Sequence, residues 1–272
     1  MFQKRAEEIR LKGKTIAFVP TMGFLHEGHL MLLREGKKRC DELVLSIFVN
    51  PTQFGPTEDL EKYPRDLERD LKMAEKEGVD LVFNPGVEDM YGKEFQTYVN
   101  LEKLPNHLCG LSRPVFFRGV ATVVAKLFNI VKPHVALFGE KDYQQLAVIR
   151  QMVRDLNFDI EIIGVPTVRE PDGLAMSSRN TYLSTSERPA ALSLYKSLQN
   201  AKESVQNKET DAKEIINGAI QIITSFPETE IDYVRICNPE TLEDVSVIKG
   251  TVLMALAVKV GKTRLIDNMI LI

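Results

Sequence analysis

Short, almost uninterrupted apolar runs divide the first part of the chain. The runs lie at residues 15–20, 43–49, 79–83, 134–138 and 159–165, and each has the length of a strand. Helices are expected before the first run, at residues 2–11, and between the runs, at residues 28–39, 119–131 and 143–156, with a surface helix in the charge-rich segment after Pro64, up to residue 77. Continuous apolar strands that alternate with helices are typical of a parallel sheet covered on both faces. The pattern therefore predicts an α/β fold for this part of the chain.

The pattern changes after Thr167. Helices are expected near residues 186–206 and 210–224, followed by strands at residues 231–237, 251–260 and 264–271. Helices followed by strands, without strand–helix alternation, indicate an α+β arrangement. We therefore expect a first domain at residues 1–167 and a smaller α+β domain at residues 168–272 that closes over the site.

Residues 86–118 have no clean period and contain Pro105, Gly110 and Pro114. A loop of this length inside a compact domain is usually functional. We expect this segment to act as a mobile lid.

Composition limits the possible partners. The chain has 272 residues, 44% hydrophobic and 27% charged, with a net charge of −3, so no general nucleic-acid surface is expected. Cys40, Cys109 and Cys237 are sparse and widely spaced, which favours reduced thiols in a cytosolic protein. Residues 1–14 lack the apolar core of a signal peptide, and no apolar stretch has membrane-spanning length. The expected location is the cytoplasm, with no membrane partner.

Two histidines lie where the first strand passes into a helix. Pro20 and Gly23 break the strand, and the helix begins near Gly28, between His26 and His29. Backbone N–H groups and the helix dipole at such a junction favour an anion, and imidazoles add donors. A zinc pair is the first alternative, although metalloprotease histidines are four apart on one helix. The second is a pair of imidazoles that only satisfy the helix start.

Further polar groups follow the other predicted strands, where ligands of open parallel sheets bind. Lys141, in the turn at residues 139–142, could reach a phosphate, or the turn could simply be capped by Asp142. Gln53 and Gln145 suit a ligand with hydroxyl and carboxylate groups, or are solvated. Residues 176–179 offer two hydroxyls and a guanidinium that could close over a triphosphate, or form a solvated linker.

Four blocks, at residues 20–29, 48–54, 138–145 and 176–180, closely resemble the pantoate–β-alanine ligases, members of the HxGH nucleotidylyl transferase superfamily. The blocks occur in the family's order, and the resemblance covers essentially the whole chain. It implies a Rossmann-like parallel-sheet domain with a smaller second domain, usually in a homodimer. It also implies condensation of pantoate with β-alanine through an enzyme-bound pantoyl adenylate. ATP and Mg²⁺ would be used, and AMP and pyrophosphate released.

The resemblance assigns roles to individual residues. His29 would be the catalytic acid, assisted by His26, Lys141 and Arg179. Gln53 and Gln145 would bind pantoate. The ATP contacts would be Met22, Gly23, Phe24, Leu25, His26, Glu27, Gly28, His29, Gly139, Glu140, Lys141, Asp142, Val168 (through its backbone), Met176, Ser177, Ser178 and Arg179. Asp70 would lie near the Mg²⁺–phosphate complex, and Arg113 would contact the site from the mobile segment.

The sequence departs from the family pattern in one segment, and two other functions are considered beside the ligase. The family commonly has Arg-Pro-Gly-His-Phe-Arg-Gly where residues 113–119 are Arg-Pro-Val-Phe-Phe-Arg-Gly, which removes the segment's histidine. One alternative is a transferase that moves a nucleotidyl group onto a phosphorylated acceptor. It would call for basic groups where Gln53 and Gln145 lie. The other is a non-enzymatic nucleotide-binding module, which would not need four cationic or imidazole groups at one rim.

Overall fold

The computed structural model describes residues 2–56 and 58–272, so Met1 and Thr57 lie outside the described part of the expected first domain. The chain forms two compact units. The first unit contains the segments up to residue 102, 113–140 and 145–166, and the second contains residues 103–112, 141–144 and 167–272. The units therefore interleave along the sequence, and the functional division at residue 167 stays a prediction.

Strands and helices are numbered along the whole chain. The strands are β1 (Ile16–Thr21), β2 (Glu42–Ile47), β3 (Leu81–Phe83), β4 (Val135–Gly139), β5 (Glu161–Val165), β6 (Thr229–Cys237), β7 (Val252–Val260) and β8 (Thr263–Leu271). The helices are α1 (Phe2–Leu11), α2 (Glu27–Lys37), α3 (Leu67–Lys76), α4 (Val87–Met90), α5 (Cys109–Ser112), α6 (Phe116–Val131), α7 (Tyr143–Asp155), α8 (Arg188–Gln206) and α9 (Ala212–Thr224).

The first unit is built on a five-stranded sheet in the order β3-β2-β1-β4-β5, in which all pairs are parallel. Successive residues of β1, from Ile16 to Val19, are all buried. Side chains on both faces of β1 are thus covered, as the continuous apolar run predicted. The chain order reverses between β1 and β4, so β1 ends at the switch point where such sheets bind ligands.

The second unit contains a three-stranded antiparallel sheet in the order β6-β7-β8. Helices α8 and α9 pack together over this sheet through buried residues such as Leu194, Leu198 and Ile223, which share one core with Met254 and Leu256. The predicted architecture, a Rossmann-like parallel sheet plus a smaller α+β part with an antiparallel sheet, is confirmed.

The segment at residues 86–118 is more ordered than a continuous loop. It contains the single-turn helices α4 and α5, and α6 begins at Phe116, three residues before the predicted start. Tyr98 stacks on the Arg118 guanidinium at 3.9 Å, and Val99 N donates to Thr122 Oγ1 of α6. The early part of the segment is therefore attached to the first unit, and only residues 103–112 belong to the second.

Gln144 fixes the later part of this segment within the second unit. Its buried amide donates to the Leu104 and His107 carbonyls and accepts from Cys109 N at 2.9 Å. Such single-turn pieces, held by a distant side chain, have no hydrophobic period of their own. This explains why the sequence pattern does not reveal them. No helix among the described residues is long and apolar enough to cross a membrane.

Close packing of α6 generates a stability prediction. A Cβ on Gly119 would overlap the Thr52 carbonyl, whereas one on Gly92 would meet nothing within 4 Å. We expect Gly119→Ala to lower the free energy of unfolding by about 1–3 kcal/mol, the usual cost of overpacking. Gly92→Ala is the control and should stay within about 0.5 kcal/mol of the parent in urea unfolding. Equal stability of the two variants would contradict the observed packing.

Candidate active site

The turn after β1 adopts a left-handed backbone. Gly23 has φ +84° and Phe24 has φ +50°, a conformation that is uncommon for a side chain of this size. Thr21 Oγ1 accepts from Gly23 N and donates to the Ser46 carbonyl, which fixes the turn to β2. A Cβ on Gly23 would lie 3.0 Å from both Asp70 Oδ2 and Ile47 Cγ2, so a side chain here would be crowded as well as strained by the positive φ.

Asp70 holds this turn from α3. Its two carboxylate oxygens accept from Phe24 N at 2.6 Å and from Leu25 N at 2.7 Å. The side chain is 1% exposed, and its burial raises the pKa of the carboxyl, while the two backbone bonds act in the opposite direction. A buried carboxylate with two backbone partners is a strong positional constraint, since either oxygen left unpaired would be costly.

Arg69, the neighbouring residue on α3, supports the same turn from outside. Its guanidinium donates to the Leu25 carbonyl at 2.9 Å and lies 5.1 Å from the centre of the Phe24 ring. The charge-rich segment before residue 77 was predicted only as a surface helix. In the structure its Arg69–Asp70 pair positions the candidate site.

The HxGH spacing is explained by the start of α2. His26 is the N-cap residue, and His29 is the third residue of the helix. His26 Nδ1 accepts from Gly28 N at 3.2 Å, while His29 Nδ1 accepts from His26 N at 3.3 Å. The two imidazoles thus form a capping box, and their ring centres are 4.0 Å apart.

These bonds also select the tautomer of each ring. A nitrogen that accepts from a backbone N–H carries no proton, so in the neutral form the proton of both rings is on Nε2. Both rings lie at the N-terminus of α2, where the helix dipole favours an anion. The structure thus shows the capped helix start, and phosphate contact by either ring stays a prediction.

Gln53 lies next to this turn on the loop after β2. It ends a short 3₁₀ turn, Pro51–Gln53, capped by Asn50, and its side chain is buried. Its Nε2 lies 3.0 Å from Met22 Sδ, so the structure brings this predicted pantoate residue to the predicted ATP turn. Gln145, the second predicted pantoate residue, is half-buried in the first turn of α7.

Arg113 is held within the first unit. Its guanidinium pairs with Glu58, donates to the Gln53 carbonyl at 3.3 Å, and stacks on the Phe116 ring at 3.9 Å. Phe116 occupies the position of the histidine common in the family. The departure at residues 115–116 therefore supplies an aromatic platform for the arginine.

The turn after β4 divides between the two units. Gly139 pairs with Val165 at the end of the sheet, and the carboxylate of Glu140 lies over Gly164. Lys141 and Asp142 belong to the second unit, where Asn268 donates to the Lys141 carbonyl at 2.8 Å. The Lys141 side chain is mostly buried, at 18% exposed, and its Nζ lies 4.0 Å from Asp142 Oδ2.

The remaining predicted ATP residues form one loop of the second unit. Met176 N donates to the Val168 carbonyl at 2.9 Å, which closes the base of the loop. Ser177 caps a 3₁₀ helix, Ser178–Tyr182, by accepting from Arg179 N at 3.2 Å. The Ser177 hydroxyl hydrogen can consequently be donated elsewhere.

A network of ion pairs and hydrogen bonds holds this loop. Glu170 accepts from Asn180 and from Arg188, each at 2.6 Å, and Arg188 also pairs with Asp172. Burial acts to raise the pKa of Asp172, but the hydrogen bonds from Arg188 and from Leu174 N hold this pKa below its usual value. These hydrogen bonds and ion pairs give the loop a defined conformation, which is not expected of a solvated linker.

No group of three or more His, Cys, Asp or Glu side chains able to hold a metal occurs among residues 2–56 and 58–272. The three cysteines are free thiols, and burial raises the pKa of Cys237 to about 12. A raised pKa keeps the Cys237 thiol protonated and makes it a poor nucleophile.

A parallel sheet with the HxGH turn at its switch point defines an enzyme of the HxGH nucleotidylyl transferase superfamily. The family model described as pantoate-beta-alanine ligase matches residues 1–270. The chain belongs to this family, and the enzyme forms pantothenate from pantoate and β-alanine.

Relatives and solved structures agree with this assignment. The chain is 66% identical over 267 residues to the pantothenate synthetase of Desulfatibacillum aliphaticivorans, covering 98% of this chain and 95% of the relative. It is similar to the crystal structure of pantothenate synthetase from Thermus thermophilus, with a TM-score of 0.93, 47% identity and coverage of 97% and 96%. A Francisella tularensis pantoate-beta-alanine ligase complexed with beta-gamma ATP and beta-alanine matches with a TM-score of 0.80, 35% identity and coverage of 98% and 95%.

The Asp70 contacts generate a prediction for the turn. Asp70→Asn keeps the shape but places an amide NH₂ against one backbone N–H, so one of the two bonds is lost. We expect the rate of pantothenate formation to fall by about 10²-fold, because small displacements of reacting groups have effects of this size. Lys72→Gln, on the exposed side of α3, is the control and should leave the rate unchanged. Normal turnover of the Asp70 variant would show that the bonds from Phe24 N and Leu25 N to this side chain do not control the reaction rate.

Proposed function

We propose that the enzyme first activates pantoate as an enzyme-bound pantoyl adenylate, at the turn formed by Met22 to His29. The observation that supports this most directly is the double capping geometry of His26 and His29. In this geometry the proton of each neutral imidazole is on Nε2, and both rings lie at the start of α2, which favours an anion. Adenylation needs such donors, since two anions must meet in the first step.

In that step a carboxylate oxygen of pantoate attacks the α-phosphorus of ATP. A P–O bond forms to pantoate as the bond to pyrophosphate breaks. Negative charge increases on the transferred phosphoryl oxygens and on the departing pyrophosphate. Groups already fixed in place stabilise this charge without reorganising, and we assign His29 to the transition state and His26 to the phosphates.

In the second step the amine of β-alanine attacks the acyl carbon of the adenylate. The new C–N bond replaces the C–O bond to AMP, and the amine loses its proton. No covalent bond to the protein is required. We therefore assign Ser177 and Ser178 to phosphate contacts and not to a nucleophilic role.

Further cationic groups belong to the second unit. We assign Lys141 and Arg179 to the phosphates, with Gly139 to Asp142 and Met176 to Arg179 as nucleotide contacts. Val168 would contact adenine through its backbone, next to the bond that its carbonyl accepts from Met176 N. Closure over the reactive adenylate, by the smaller domain, the segment at residues 86–118 and the loop at residues 176–180, is part of the same proposal.

Mg²⁺ enters this proposal with the nucleotide. Mg²⁺ is commonly bound by phosphates and water with one or two carboxylates, so a dedicated protein cage is not needed. Among the described residues no such cage is found, and both oxygens of Asp70 accept backbone bonds. That Asp70 lies near the metal–phosphate complex stays a prediction. A homodimer is proposed from the family resemblance, and a cytoplasmic location from the cysteine usage and apolar pattern of the sequence.

Pyrophosphate exchange tests the adenylate. With pantoate present and β-alanine absent, labelled pyrophosphate should enter ATP, because the first step is reversible on the enzyme. No exchange without β-alanine would overturn the two-step route. Exchange supported by a phosphorylated acceptor instead of pantoate would favour nucleotidyl transfer.

Substitution of His29 separates its structural role as a helix cap from its proposed role in catalysis. Glutamine at the third helical position is a natural capping-box partner, so His29→Gln should retain the bond to His26 N and hence stability. We expect its exchange rate to fall by about 10²–10³-fold, the effect of losing one transition-state donor. His29→Ala should show the same fall in the exchange rate and should also have a lower free energy of unfolding, because it lacks the capping bond. Near-normal exchange in His29→Gln would exclude a chemical role for the imidazole.

Lys141→Ala tests whether the second unit contributes a phosphate contact. Loss of a phosphate contact should lower the exchange rate and raise the KM for ATP together, as expected for a group that binds the phosphates in the ground state and more strongly in the transition state. Lys262→Ala, in the turn between β7 and β8, is the control. A change confined to the KM for β-alanine would contradict the assignment of Lys141.

A further inference from the structure

Asn50, which donates to Gln53, is a buried side chain whose amide has a defined orientation. It is 1% exposed. Its Oδ1 accepts from Tyr91 OH at 2.7 Å, from Thr52 Oγ1 at 3.0 Å and from Thr52 N at 3.4 Å. Its Nδ2 donates to the Gly119 carbonyl at 3.2 Å and to Gln53 Oε1 at 3.1 Å.

Two backbone groups decide this orientation. A backbone N–H can only donate, so the Asn50 atom facing Thr52 N must be the oxygen. A backbone carbonyl can only accept, so the atom facing Gly119 must be the nitrogen. A flipped Asn50 would place its NH₂ against the Thr52 N–H and its oxygen against the Gly119 carbonyl. The hydroxyls of Thr52 and Tyr91 can adapt to either arrangement and therefore follow this one.

The orientation of Gln53 follows from that of Asn50. Because Asn50 Nδ2 can only donate, the Gln53 atom next to it is the acceptor, Oε1. The Gln53 Nε2 group then faces the other way, where it contacts Met22 Sδ, a weak acceptor. A stronger acceptor on a substrate would replace this contact favourably.

We propose that Gln53 binds pantoate as a hydrogen-bond donor, through Nε2, and that Tyr91 is a positioning residue that maintains this polarity through Asn50. The group recognised is thus an acceptor oxygen of the hydroxy acid, a carboxylate or hydroxyl oxygen, and not a hydroxyl hydrogen. This inference rests on the proposed function, in which Gln53 contacts pantoate.

Tyr91 is placed for this role by its ring. It packs on Phe48 at the end of β2 and edge-on against Phe95, with centroid distances of 6.3 and 5.0 Å. Burial raises the pKa of its hydroxyl, so the group stays protonated and can donate to Asn50. Tyr98 continues the same aromatic row but is 43% exposed, which makes it a matched control for removal of one hydroxyl.

Variants of Gln53 test the polarity. Gln53→Glu is close in shape but presents only acceptors, so the KM for pantoate should rise by about 10²-fold or more, through loss of a bond and repulsion of the anion. Gln53→Ala should raise it less, and the KM for ATP should change by under about twofold in both, as expected when only pantoate binding is affected. If neither variant alters the KM for pantoate, the proposed contact itself fails. If Gln53→Ala is impaired and Gln53→Glu is normal, the contact stands and the donor polarity is wrong.

Tyr91→Phe tests the positioning role. It keeps the ring and should raise the KM for pantoate about three- to tenfold, the effect of one hydrogen bond, while Tyr98→Phe should resemble the parent. In the Gln53→Ala background Tyr91→Phe should have no further effect, since both act through one amide. Equal effects of the two tyrosine variants, equal changes in the KM for ATP and pantoate, or additivity with Gln53→Ala would each overturn the role of Tyr91.

Discussion

Two backbone N–H groups donate to one buried carboxylate, and the geometry of the candidate site depends on this contact. Asp70 binds Phe24 N and Leu25 N, immediately before the N-cap of α2. The left-handed φ of Phe24 costs on the order of 1–3 kcal/mol, and a strained turn persists only where its surroundings over-determine it. The carboxylate provides that constraint, so the direction in which the chain enters α2 is fixed.

Polar groups elsewhere in the site are controlled in the same way, by backbone atoms that can act only as donor or only as acceptor. The amides of Gly28 and His26 fix the tautomers of the two histidines. Thr52 N and the Gly119 carbonyl fix the amide of Asn50, and through it that of Gln53. Such prior orientation matters because a group that must turn during the reaction loses part of its stabilising effect.

Much of the fold could be predicted from the sequence, because both strand and helix periods are local properties. The run at residues 43–49 corresponds to β2, Glu42–Ile47, and the other predicted strands are confirmed within a few residues. The start of α6 was placed three residues late, at Gly119, because Pro114 and the preceding irregular segment obscure the helical period. Helices α4 and α5 were not predicted, since single turns held by Gln144 or by local caps have no period to detect.

The sequence by itself determined the alternation of strand and helix, the HxGH spacing and the four blocks that identify the pantoate–β-alanine ligase family. All of these lie within short stretches of chain, where neighbouring residues constrain one another directly. Tertiary structure alone decided the partners of Asp70, the polarity of the Gln53 amide and the stacking of Arg113 on Phe116. Asp70 and Phe24 are 46 positions apart, and Asn50 and Gly119 are 69 apart. No local pattern encodes bonds over such separations. They exist because the sheet order places the loops after β1 and β2 side by side, with α3 and α6 packed against them.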